Sequence, residues 1–108
     1  MITRLLTREE YHATFLGRGV NVTHTARDVI DIWPYVAAIP RQELWGHSVV
    51  PETVERVYRR GDAQFDHVLV TTTTGNVFLV VVVDLRQDAI LGHFLLDLNE
   101  EYGIKTPQ

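Results

Sequence analysis

The stretch Phe65–Leu85, FDHVLVTTTTGNVFLVVVVDL, constrains the fold more than any other part of the chain. Two β-rich runs, Phe65 to Thr73 and Val77 to Leu85, flank Thr74, Gly75 and Asn76. Glycine and asparagine tolerate the positive φ of tight hairpin turns. Every residue from Val77 to Val83 is apolar, so both alternating faces of that run are apolar. Such a strand belongs at the centre of a sheet covered on both sides. Asp66, His67 and Asp84 stand near the ends of the two runs and bring ionisable groups to the rim of a β core.

The flanking sequence adds helices and further strands. Leu6-Thr7-Arg8-Glu9-Glu10-Tyr11 predicts a helix start, with Thr7 as cap, Glu10 closing the capping box and Leu6 stapled on Tyr11. Tyr11, Phe15 and Leu16 share its face, and Gly17 is a stop. Val20 to Ala26 alternates with period two, as a strand with one wet face does. Between Asp28 and Pro40, Asp31 caps a short helix carrying Trp33, Val36, Ala37 and Ile39, unless the β-branched run Val29 to Ile32 extends the strand. Pro51 to Gly61 fits a helix through its Glu52–Arg56 and Glu55–Arg59 pairs, and fits a strand through Thr53, Val54, Val57 and Tyr58. Ala89 to Tyr102 carries the same ambiguity. Consecutive strands joined by tight turns are antiparallel. The expected fold is α+β: an antiparallel β-meander of three to five strands, with an N-terminal helix and a short helical middle segment packed on the sheet.

Length and charge narrow the function classes. The chain has 108 residues, which suits a single domain over 1–108. A net charge of −4 argues against general nucleic-acid binding, which needs clustered cations against phosphates. The cluster Arg56, Arg59 and Arg60 has Glu52 and Glu55 beside it, as a solvated, salt-bridged face does. The same −4 is too modest to mark a protein that neutralises a basic partner. The chain has no cysteine, which removes disulfides, thiol catalysis and cysteine-ligated zinc. Met1 to Glu9 contains no long apolar region, so no secretory signal is expected. The apolar run Val77 to Val83 falls far short of the ~20 residues of a membrane-spanning helix. The expectation is a soluble, cytoplasmic protein without a membrane partner.

Candidate chemistry rests on histidines. His12, His24, His47, His67 and His93 make no recognised metal spacing, and there is no glycine-rich phosphate loop or nucleophile elbow, so no cofactor is expected. If Gly75-Asn76 is a two-residue loop, His67 falls opposite Asp84. If Gln87-Asp88 is another, His93 pairs with Val82 and points to the same face. His67, Asp84 and His93 would then converge as a site for proton transfer or a divalent metal. A loop one residue longer turns His67 to the other face, and an Asp–His pair at a core's edge also serves structure alone.

Trp33, Tyr35, Trp45 and His47 are the candidate binding residues, because aromatic side chains anchor interfaces and pockets. Packing on the sheet is their alternative use. The threonines at 71–74 suit a wet strand face, or an edge strand that pairs with a second copy of the chain. The sequence reads as a binding or interaction module, with homodimerisation one form of it. The alternative is a small hydrolase or metal-binding enzyme using His67, Asp84 and His93.

Overall fold

The computed structural model describes residues 19–21, 29–60, 64–100 and 104–105. It contains the strands Gly19–Asn21 (β1), Val49–Arg60 (β2), Phe65–Thr72 (β3), Val77–Asp84 (β4), Ala89–Asp97 (β5) and Ile104–Lys105 (β6). A five-residue helix, Trp33–Ala37 (α1), and a 3-10 turn, Arg41–Leu44, lie between β1 and β2. Strand order in the sheet follows chain order, and every neighbouring pair is antiparallel. The expected meander is present, with β6 a two-residue addition at its far edge. The expected N-terminal helix, and the strand beyond Asn21, lie outside the described residues.

β4 occupies the interior, and Val80, Val81, Val82 and Val83 are all fully buried. Val57, Val68, Val70, Leu79, Val81 and Val83 form one core face, against which Ile32 and Ile39 pack. The other face carries Leu69, Val80, Val82, Phe94 and Leu96. Helical content is small: α1 has Pro34 in its first turn, where a missing N–H costs nothing. Asp31 Oδ1 accepts the Trp33 N–H at 3.0 Å from one position before the N-cap, which is Ile32 rather than the expected Asp31, and the helix has no side-chain cap.

Both ambiguous segments are strands. In β2, Val54 and Val57 lie across from Val70 and Val68, so sheet pairing and burial outweigh the local Glu–Arg pairs that favour a helix. The same holds for β5, where Phe94, Leu95 and Leu96 are all fully buried. β2 is irregular at its start: the register shifts between Val49 and Val54, and Glu52 there has φ 56°. Pro51 is tolerated at such a bulge because it has no N–H to pair. The Thr71-Thr72 pair lies in β3, between β2 and β4, so it does not form a sheet edge.

The central strand gives a direct test. Leu79→Ala should cost about 2–5 kcal/mol in urea denaturation, because the cavity lies under a sheet that cannot collapse into it. Val29→Ala, at a side chain 78% exposed, should stay within about 0.5 kcal/mol.

Candidate functional site

Turn chemistry decides where the ionisable residues go. The β3–β4 connection is a four-residue loop, Thr73 to Asn76, which places Asp84 opposite Phe65 and His67 opposite Val82. Thr72 sets this length: its hydroxyl donates to Val77 O at 2.7 Å and accepts from Thr74 N at 3.2 Å. Asn76 supplies the left-handed residue, at φ 64°. Asp84 plays the same part in the next turn, where its Oδ1 accepts from Arg86 N at 2.9 Å. Ala89 then pairs with Asp84 rather than with Arg86. Two-residue slips alone would keep the expected faces. A bulge removes the parity: Val82 pairs with Gly92 and Val83 with Ile90, so Leu91 is an extra residue in β5.

His93 therefore pairs with Val81, on the face opposite to His67. The three residues His67, Asp84 and His93 do not converge. Among the described residues no three His, Asp or Glu side chains gather into a metal-binding group.

The bulge delivers His93 to a different partnership. The ring is fully buried beneath α1 and the 3-10 turn. Its Nδ1 lies 2.7 Å from the Tyr35 hydroxyl, and its Nε2 lies 2.8 Å from Glu43 Oε1. Burial lowers the His93 pKa, with the Glu43 carboxylate opposing the shift. Burial and then the same carboxylate push the Tyr35 phenol up to about 12. A protonated phenol donates to Nδ1, and the neutral ring then carries its proton on Nε2, toward Glu43. The Glu43 contact has ion-pair distance but lies off the N–H direction, so it is no aligned hydrogen bond. The Tyr35 hydroxyl takes the Nδ1 lone pair and burial closes off the Nε2 side, so the ring does not open to a substrate. The trio is a polar clasp: it ties α1 through Tyr35, and the 3-10 turn through Glu43, to β5.

What the clasp holds in place is a cleft of about 420 Å³ on the same face. Trp33, Val36 and Ala37 line it from α1, at spacings that share one side of a helix. Ile39 and Leu44 form its floor between the helix and the 3-10 turn, and Val49, Pro51 and Glu52 close it from the start of β2. Its volume falls in the range of small-ligand sites, roughly 300–1,000 Å³. A second hollow, of about 200 Å³, lies near Arg56, Tyr58, Leu69 and Phe78. Its Arg56 is paired, since Nη1 donates to the Tyr58 hydroxyl at 2.9 Å and Nη2 lies 3.5 Å from Glu55 Oε1.

Of the four expected binding residues, Trp33 lines the cleft and Tyr35 turns inward to the clasp. Trp45 is 39% exposed, and the Lys105 ammonium sits 5.3 Å from its ring centre. His47 Nδ1 lies 2.9 Å from Thr74 Oγ1, so it ties the turn before β2 to the β3–β4 loop. Glu43 and Glu52 are the residues that sequence reasoning missed. The only signal for them was their place in the aromatic, proline-punctuated middle third.

Tyr35→Phe leaves His93 Nδ1 buried without its donor and should cost about 1–3 kcal/mol in denaturant unfolding. The clasp also makes stability depend on pH. The folded His93 pKa lies below its ordinary 6.5, so the folded state takes up its proton less readily than the unfolded chain. Its contribution is complete above pH 6.5 and is lost as pH falls through the lower folded value. His93→Gln should flatten the acid limb of stability against pH relative to the parent protein; an unchanged limb would refute the assignment.

No family model, curated protein or solved structure matches this chain.

Proposed function

We propose that this protein is a binding module whose recognition site is the cleft between α1, the 3-10 turn and the start of β2. The observation that carries this reading is an apolar opening of about 420 Å³ whose two short helical walls are clasped to the sheet from behind. Short helical elements of five and four residues have little stability of their own. A buried polar clasp beneath them gives the pocket a fixed shape before a ligand arrives, which lowers the ordering cost of binding. The occupant that fits is a small organic molecule with an apolar body, because aliphatic and indole surface makes up nearly all of the lining.

The experiment is a methyl-NMR titration with the neutral probe 1-naphthalenemethanol. Val36, Leu44 and Val49 should shift in a saturable way, and Ala37→Trp, which fills the exposed mouth, should abolish the shifts without lowering the urea midpoint. Shifts centred on the opposite face, around Leu96, would refute the assignment. So would cleft shifts that appear with protein concentration alone, since a second copy would then be the occupant.

A further inference from the structure

Among the described residues, the lining of the cleft contains one charged side chain, Glu52, and one aromatic one, Trp33, and no lysine or arginine. Glu52 is exposed at the lip, and its carboxylate makes no ion pair or hydrogen bond among the described residues. Two other carboxylates have partners: Glu43 lies 2.8 Å from His93 Nε2, and Glu55 lies 3.5 Å from Arg56. Glu52 is also one of four non-glycine residues with positive φ among the described residues, at 56°. The bulge in β2 that produces this conformation brings residue 52 to the mouth of the cleft.

We infer that the cleft selects organic cations: molecules with a compact apolar body and one ammonium group, held by the Glu52 carboxylate and the Trp33 indole. The proposal rests on the cleft being the binding site and adds the charge of its ligand. An ammonium at the lip gains the attraction of an otherwise unpaired carboxylate, and an indole is the strongest of the aromatic faces for a cation. A carboxylate or phosphate at the same position meets Glu52 with no cation among the described lining residues to offset it. A neutral head group gains only the apolar contact. The net charge of −4 adds a weak attraction for cations over the whole surface, which salt screens.

The test uses three ligands that share one ring system: 1-naphthylmethylamine, 1-naphthalenemethanol and 1-naphthoate. Each is titrated against the full chain by methyl NMR at pH 7, in low and in high sodium chloride. The ammonium should bind about fivefold more tightly than the alcohol, as an exposed charge pair supports. The naphthoate should bind more weakly than either. Glu52→Gln should erase the preference for the ammonium over the alcohol, and added salt should shrink that preference in the parent protein alone. Equal affinities for all three ligands, or a preference that survives Glu52→Gln, would overturn the inference and leave the cleft a neutral apolar site. Binding of none of them at the cleft would overturn both the inference and the reading beneath it.

Discussion

Burial of β4 on both faces is the constraint from which the rest of the architecture follows. A strand whose residues from Val77 to Val83 are all apolar cannot face water on either side without exposing several valines. Each buried valine or leucine contributes about 1.5–3 kcal/mol, so the two-sided strand dominates the choice of fold. It must be flanked by paired strands, which β3 and β5 supply, and each face must be covered. On the face of Val81 and Val83 the cover includes Ile32, α1 and the residues around the 3-10 turn. The cleft is a by-product of that arrangement, since a five-residue helix and a single 3-10 turn do not tile a sheet without leaving a gap.

Much of the sheet was legible in the sequence, and the site was not. Gly75-Asn76 and Arg86-Gln87-Asp88 do mark the two hairpin turns, because their residues tolerate turn geometry. Their lengths depend on Thr72 and Asp84, whose side chains cap the turns and lengthen each loop to four residues. Gly92 is the one local residue of the kind that marks such bulges, and the alternation of apolar residues does not show the bulge beside it at Leu91. Yet that one residue decides which face His93 occupies. The Tyr35–His93 contact joins residues 58 apart in the chain, and no spacing rule connects them. β2 escaped for the opposite reason: its Glu–Arg pairs are real helix signals, overruled by a long-range pairing with β3 that local sequence does not contain.

The same face holds a second buried polar contact. Asp66, fully buried, receives two hydrogen bonds from the Arg59 guanidinium, at 2.8 and 3.1 Å. Arg59 and Asp66 are direct cross-strand partners, so a one-residue slip of β2 against β3 would carry them to opposite sides of the sheet. A buried, forked pair of this kind adds little net stability against an apolar substitute, but its loss is costly. Its effect is on register. With the β2–β3 alignment pinned at Arg59, the irregular start of β2 is free to depart from ideal pairing without dragging the rest of the strand with it.

That irregular start has a further consequence for how the molecule behaves among its own copies. Among the described residues, β1 covers only Tyr58 to Arg60 of β2, and the earlier part of the strand has β3 alone as its partner. A long, flat strand in that position would template the growth of a second sheet, the first step toward fibrils. Pro51 withholds a backbone donor, the kink at Glu52 turns the backbone out of line, and the exposed Glu55 and Arg56 add charge. The distortion at the lip of the cleft thus carries the features that disfavour edge-to-edge pairing. Straightening it by Pro51→Val together with Glu52→Val would trade the lip of the cleft for a sticky edge.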